Sequence, residues 1–580
     1  MPSRETQRAL LEELCRGGLL ENARVLADSE LGASWASRRA IVAAAEGDVT
    51  CAGRVIRLRV GLCRRFPAVL PRIFVHPPDG LGRIPHVERD GYVCYLADEG
   101  VIIDRDDLAS ALDRCIELAT GVLDTACSAA AGTDLLHEFE AYWRDLPHAV
   151  GVDSYVTPDD HARRLVAYCD ADRKYAFVAD DERAVRAYQS GRKLPALTKR
   201  NALYVPLERT VVDDPPAPDA LITRDQLRDY VQRHASSATK QALPALTAKW
   251  KTEELVVLRL PRPDAGHILV GVLIRGIQNG HPLGSGTTAV PLVPIAFDRR
   301  DRAAVMPRSG AAVDLGDRHI LVVGCGSVGG HAAVGLAYAG VGRLTLVDPD
   351  TLEPENAFRH AAGVAGDGEP KVDALRAEIE RRIPYVDVQA KRGHIELLIE
   401  SKALSLSDFD GVVVAIGAPT LELMLNEMLW CTAPTNVVFT WLEPEGLGGH
   451  ALLARSRQPN VRGCVSCLYE PAEAGGPLRN RADFAAPGQF FVRDHVGCGG
   501  RFTMFSALDA RRTADLATEL VLDAVAGRVE GHPLRSWKGD ARRFKLAGYV
   551  LSPRYELSSE RLNELACSYA RNACKICANT

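Results

Sequence analysis

A chain of 580 residues exceeds what one hydrophobic core supports, so about three domains are expected. Its 47% hydrophobic content is that of an ordinary soluble protein, and a formal net charge of -5 from 70 basic and 75 acidic residues excludes nucleic acid as the default partner. No apolar run is long enough to span a bilayer, and the N-terminal MPSRETQRALLEELCRGG reads as an amphipathic helix rather than a signal peptide, which predicts a cytoplasmic protein without a membrane partner.

Residues 1–148 read as an α+β domain: the opening helix, strands over Arg54–Leu62 and Arg72–Val75, a turn-rich segment His76–Gly91, and helices over Asp107–Val122 and Asp134–Leu146. The chain's fifteen cysteines are not expected to form disulfides in a reducing compartment, so some should be ligands or nucleophiles. In this domain Phe66, Pro67 and Pro71 lead to His86, and Gly91-Tyr92-Val93 leads to Cys94. A lone loop cysteine is more often a structural thiol, but this arrangement resembles E2 ubiquitin-conjugating (UBC-like) domains. The resemblance implies that Cys94 is the catalytic cysteine. Where that family usually has an oxyanion-binding Asn two residues after the His, this chain has Glu88.

Residues 149–300 carry strand-like runs at Ala202–Pro206, Leu255–Leu260 and His267–Ile274, separated by Pro-, Asp- and Gly-rich turns. They predict a mixed α/β linker domain with no chemistry of its own.

From residue 301 to 580 strands and helices alternate as a parallel sheet requires. Ile320–Val323 is a short buried-strand run, followed by Gly324, Gly326 and Gly329 at G-x-G-x-x-G spacing and then an Ala/Val-rich helix. Such a turn brings backbone N–H groups and a helix N-terminus to a phosphate, and Asp348 is placed to hold ribose hydroxyls. Taken alone the motif suits nicotinamide, flavin and ATP enzymes alike. Asn356, Arg359 and Lys371 follow in order, and an Arg and a Lys serve an enzyme that attacks the α-phosphate of ATP, because they hold the departing pyrophosphate. Cys464-x-x-Cys467 and Cys574-x-x-Cys577 supply four thiolates for a closed zinc site that clamps the chain end. Between the pairs, after the Gly- and Pro-rich segment from Glu470, Cys498 is read as lying just before a helix whose dipole favours thiolate.

Residues 316–580 resemble the E1-like (ThiF-like) adenylating family of ubiquitin activators and sulfur-carrier activators. The resemblance implies a Rossmann-type adenylation domain that uses ATP and Mg2+ on a protein C-terminal carboxylate, has a structural Zn2+, and pairs as a homodimer. It assigns nucleotide binding to Gly324, Gly326, Gly329, Asp348, Asn356, Arg359 and Lys371, with Arg359 and Lys371 also catalytic. Cys498 becomes the thioester cysteine of a crossover loop at about 470–498. Gly417 stands where the family has a magnesium-binding Asp, which leaves Asp350 as the candidate for that role. Arg299, Arg300 and Arg302 are candidates to reach a partner's ATP.

The whole chain resembles the bacterial E2–E1 fusion enzymes of anti-phage (CBASS) operons, with Asn356–His360, Trp441-Leu-Glu-Pro and Gly448-Gly-His450 as that group's E1 segments. What this implies is a ubiquitin-transferase-like relay: adenylation of the C-terminus of a cGAS/DncV-like nucleotidyltransferase, a thioester on Cys498, transfer to Cys94, and an amide on a target amine. Two alternatives are a small ubiquitin-like or sulfur-carrier protein as the carboxylate, and a non-catalytic E2-variant scaffold beside an adenylating domain. An NAD-dependent oxidoreductase is the distant third.

Overall fold

The computed structural model describes residues 3–578 except 33, 79, 83, 99, 129–131, 173, 183–196, 218–220, 265, 285, 289, 431–434, 457–460, 472–477 and 495–500. Two units result, Met1–Glu182 with Pro195–Asp301, and a second from Arg302 onward. Among the described residues no helix is long and apolar enough to cross a membrane.

The first unit opens with helix α1 (Arg4–Arg16), whose N-cap Ser3 side chain accepts from the Thr6 N–H. Strands β1 (Glu21–Val25), β2 (Ile41–Cys51), β3 (Arg54–Cys63) and β4 (Arg72–His76) pair as an antiparallel sheet in chain order. Helix α2 (Leu108–Ala126) buries Leu112, Cys115, Ile116, Ala119 and Leu123, the spacing of one helical face, against Leu58, Val60 and Ile73 of that sheet. The sequence does not announce β2, because the central AAAEGD of IVAAAEGDVTC consists of residue types depleted in strands. Its ladder with β3 decides the conformation. The single helix expected over 134–146 is instead two, Gly132–His137 and α3 (Phe139–Arg144).

The 149–300 segment, expected as a mixed linker domain, builds a closed barrel. Strands β5 (Val150–Tyr155), β6 (Arg163–Cys169), β7 (Tyr175–Ala179), β8 (Thr198–Pro206), β9 (Glu253–Pro261), β10 (His267–Arg275) and β11 (Val293–Arg299) close in the order β10-β11-β5-β7-β6-β8-β9. Fully buried Trp143 of α3 roots the first sheet domain in this barrel: its indole N–H donates to the carbonyls of Ile295 at 3.0 Å and Gly271 at 3.3 Å.

In the second unit β12 (His319–Val323), helix α6 (Ser327–Ala339), β13 (Arg343–Asp348), helix α7 (Lys371–Arg382) and β14 (Asp387–Arg392) wind in one direction. β15 (Gly411–Val414), helix α8 (Pro419–Trp430), β16 (Asn436–Leu442) and β17 (Gly448–Arg455) add on the other side, and β22 (Leu534–Lys538) completes the sheet β14-β13-β12-β15-β16-β17-β22. The first five strands are parallel, β17 runs against them, and β22 pairs antiparallel with β17. Alternate residues of β12 feed opposite faces. Ile320 and Val322 join the core that holds Ala514 and Ala517 of helix α9 (Ala507–Val525), whereas Leu321 and Val323 join the core that holds Leu425, Leu429 and the four cysteines of the C-x-x-C pairs. Burial on both faces explains the uninterrupted apolar run, each such side chain contributing about 1.5–3 kcal/mol.

Candidate functional site

The chain order reverses between β12 and β15, and ligands of open parallel sheets bind at such a switch point. The glycine loop lies there. Gly324 has φ +84°, and a Cβ on it would stand 2.6 Å from the Ala415 carbonyl oxygen. A Cβ on Gly329 would stand 1.8 Å from the Gly324 carbonyl oxygen, so this position holds the turn against the helix. Around Gly326, the N-cap of α6, there is open space, and no side chain caps the helix. The uncapped first turn therefore offers its N–H groups and dipole to an anion, which fits a nucleotide phosphate. Gly329→Ala is expected to lower the melting temperature and ATP affinity together, at a cost of about 1–3 kcal/mol; differential scanning fluorimetry with and without ATP measures both.

Asp348, at the end of β13, is buried, and its carboxylate accepts from the Cys325 N–H at 2.6 Å and the Asp350 N–H at 2.8 Å. It therefore braces the glycine loop, a role the sequence did not reveal, and its oxygens retain lone pairs for a ribose. His360 does similar work: its Nε2 lies 2.6 Å from the Cys325 carbonyl oxygen. Burial pushes the Cys325 thiol well up, so this loop cysteine is no nucleophile. Lys371 starts α7, with Nζ 2.8 Å from the Asp350 carboxylate and its own N–H on the Asp350 carbonyl. Asn356 ends a short 3-10 turn, and the Arg359 guanidinium stands 5.6 Å from the centroid of the Phe505 ring. The glycine loop, the Asp348 carboxylate and Lys371 are thus joined by direct contacts through Asp350.

Gly417 ends the strand–turn after β15 with φ +69°, and its N–H donates to Glu422. Glu422, on the first turn of α8, was hidden in an apolar-looking run. It is buried, and burial pushes its carboxyl up to about 7 against hydrogen bonds from Gly417 and Ala418 that lower it. A cavity of about 710 Å³ opens here, lined by Gly417, Glu422, Trp441, Arg479, Asp483 and Arg554 among others. Glu443 accepts from His450 Nε2 at 2.8 Å and from the Phe484 and Ala485 N–H groups, which ties the segment after the first C-x-x-C to the strand end. Side chains at Gly448 and Gly449 would collide with Phe484 and Thr513, so these glycines exist for packing.

The four Cys464, Cys467, Cys574 and Cys577 sulfurs are buried and lie within 4.8 Å of one another, with Cys464–Cys574 at 3.7 Å and Cys467–Cys577 at 3.5 Å. Tetrahedral zinc with bonds of about 2.3 Å needs sulfurs roughly 3.8 Å apart, so the donor set fits that ion. The Arg571 N–H donates to Cys467 Sγ, as expected beside a thiolate ligand.

Cys498 lies outside the described residues. One expectation about its surroundings is corrected: no helix starts directly after it, because β21 (Arg501–Thr503) intervenes and α9 begins only at Ala507, capped by Ser506. The three upstream arginines are engaged within the chain. Arg299 pairs with Asp301, Arg300 with Asp153, and Arg302 donates to the Gly340 and Tyr385 carbonyls.

In the first unit the structure brings the remaining sequence candidates together. The Cys94 N–H donates to the His86 carbonyl at 2.8 Å, Phe66 is fully buried, and Gly91, at φ +85°, lies so close to the Val75 carbonyl that a Cβ would stand 2.4 Å from it. Cys94 is exposed. Partial desolvation, then Glu88 and Glu138, pushes its thiol up to about 11 against the opposing Arg39. His86 Nδ1 lies 2.7 Å from Glu138.

Comparison with known proteins matches this division of chemistry. Residues 33–150 match the prokaryotic E2 family B, and residues 300–490 match the ThiF family. The ATP-dependent ubiquitin transferase-like protein Cap2 of Pseudomonas aeruginosa is 26% identical over 478 residues, which cover 79% of this chain and 83% of that protein. Cap2 of Vibrio cholerae is 24% identical, covering 78% and 82%. Among solved structures, Escherichia coli MccB with succinimide aligns at a TM-score of 0.31 and 16% identity over 45% of this chain and 67% of that one, too remote to carry residues across. With an E2 family domain before a ThiF family domain, and two relatives alike over about four-fifths of their length, the chain is a bacterial E2–E1 fusion and an ATP-dependent activating and conjugating enzyme.

Proposed function

We propose that three modules, 1–148, 149–300 and 301–580, run a thioester relay. A protein C-terminal carboxylate attacks the α-phosphorus of ATP and releases pyrophosphate. The Cys498 thiol then displaces AMP, Cys94 takes over the acyl group, and an amine displaces Cys94 to form an amide. The observation that carries this reading is the pairing on one chain of an uncapped glycine-loop helix, backed by Lys371 and Arg359, with an exposed Cys94 set against His86 by a backbone hydrogen bond.

Arg359 and Lys371 are assigned to the β- and γ-phosphates, Asp348 to the ribose, and the glycine loop with Asn356 to the phosphate cradle. Asp350, beside Lys371, is the carboxylate available to magnesium, which would neutralise pyrophosphate charge. Following the resemblance, the carboxylate belongs to a cGAS/DncV-like nucleotidyltransferase, with a small ubiquitin-like protein as the second choice, and the enzyme acts as a cytoplasmic homodimer in anti-phage defence. Lys371→Ala and Arg359→Ala are each expected to slow carboxylate-dependent ATP–pyrophosphate exchange about 10²–10³-fold. Exchange at the wild-type rate in both variants would overturn the assignment.

A second reading, with the E2-like domain as a non-catalytic scaffold, has one observation in its favour. Cys94 is a poor thiolate former, and Glu88 replaces the oxyanion donor. Conjugates formed by a Cys94→Ala chain would establish it.

A further inference from the structure

The carboxylate beside Cys94 is held in place by the fold. Val87 and Val93 form a β-bridge, the Glu88 N–H donates to the Tyr92 carbonyl, and the Gly91 N–H donates to the Glu88 carbonyl, so residues 86–94 fold back on themselves and set Glu88 next to Cys94. Glu88 Oε1 lies 3.8 Å from Cys94 Sγ. Its other oxygen, Oε2, accepts from the Arg39 guanidinium at 2.5 Å, and Arg39 is itself fixed by Asp90 at 3.6 Å and by the Tyr92 ring, 4.3 Å from its centroid. A carboxylate has no proton to donate to a thioester oxyanion, so Glu88 cannot do what an Asn would. It can accept a proton.

Glu88 also lines a cavity of about 470 Å³, together with Pro78, Val87, Tyr142, Asp145 and Arg89. Pro78, Val87 and the Tyr142 ring suit an aliphatic stem, while Glu88 and Asp145 suit an ammonium head. Among the described lining residues the cation is Arg89, whose guanidinium donates to the Asp145 carbonyl at 3.4 Å. An amine needs such help. With an unperturbed lysine pKa of about 10.4, roughly one lysine in a thousand is unprotonated near neutral pH.

We propose that this cavity is the acceptor site for a lysine-type primary amine and that Glu88 is the base that deprotonates it. This rests on the reading of Cys94 as the thioester cysteine. The ammonium gives one proton to Glu88, and the freed nitrogen attacks the thioester carbonyl. A C–N bond forms as the C–S bond breaks. Of the three ammonium protons, one stays on the amide nitrogen, one ends on the departing Cys94 sulfur, and one reaches solvent through Glu88. Among the described residues the charged groups facing this centre are Glu88, Arg39 and Asp90 on one side, His86 paired with Glu138 on another, and Arg89 with Asp145 at the cavity.

The test separates this step from the relay. The full-length chain is loaded at Cys94 with a synthetic Gly-Gly thioester of mercaptoethanesulfonate, with Cys94→Ala as control, and discharge is followed with free lysine and with hydroxylamine, which is already unprotonated near neutral pH. Glu88→Gln is expected to slow lysine discharge about 10²-fold, to leave hydroxylamine discharge within twofold, and to move the pH profile of Cys94 alkylation to lower pH; Glu88→Asp restores part of the lysine rate. Lysine discharge at the wild-type rate, or equal loss with both nucleophiles, overturns the proposal. A wild-type chain that cannot be loaded at Cys94 overturns both this and the relay. A chain that discharges normally but is never charged from ATP overturns the relay alone.

Discussion

Replacing Cys94 with Ala is expected to abolish amide conjugation while leaving an ATP-dependent, thiol-sensitive adduct on the chain. Replacing Cys498 is expected to remove both. The relay dictates this asymmetry, because the adenylate is consumed first at Cys498, and Cys94 can receive only what Cys498 holds. Cys94→Ser sharpens the measurement: an acyl group passed to a hydroxyl forms an ester that survives reducing gels. Tethering both cysteines to one chain replaces a collision with an intramolecular hand-off, so an isolated 1–148 fragment added in trans should rescue the Cys94→Ala chain only at much higher concentration. Non-reducing gels with the chain, ATP, magnesium and a candidate carboxylate protein read all of these outcomes. Conjugates from Cys94→Ala at the wild-type rate would sink the relay.

The second large effect is expected at the four-cysteine cluster. The purified chain should carry about one zinc per molecule, and Cys574→Ser or Cys577→Ser should lose it. Their sulfurs lie in the same buried core as Val323, Leu425 and Leu429, directly under the strand that leads into the glycine loop. Loss of the ion would leave crowded thiols there and free the chain end, which the structure otherwise holds near Ser466 and Cys467 through Arg571. A cost of several kcal/mol is expected for a structural zinc site, which for a unit of this size lowers the melting temperature by on the order of 10 °C. Metal analysis and calorimetry with and without chelator measure it. A metal-free wild-type chain of unchanged stability would show that the cluster is only a packed group of thiols.

Particular residues show where the sequence was legible. The run Ile320–Val323 followed by three glycines reads as a strand and turn without any structure, because double-sided burial leaves no polar position and only glycine tolerates the Gly324–Gly329 approach. The two C-x-x-C pairs are legible for a similar reason: four thiols at such spacing have few uses. By contrast, the barrel at 150–299 was invisible as a barrel, because closure depends on the register between strands far apart in sequence, such as β5 with β11 and β8 with β9. Strand β2 was missed because its propensity is weak, and its conformation comes from its partner.

What the sequence determined by itself is the inventory of chemistry: a nucleotide loop with its acid, Arg359 and Lys371, paired cysteines, and a cysteine after a histidine. Local spacing encodes these, since each needs only neighbouring residues. Tertiary structure alone decided how they are held. It turned Asp348 into a brace for the glycine loop, placed Glu422 against Gly417, engaged Arg299 and Arg302 within their own chain, and set Glu88 3.8 Å from Cys94. Those relations depend on through-space distances between side chains, and packing sets those distances.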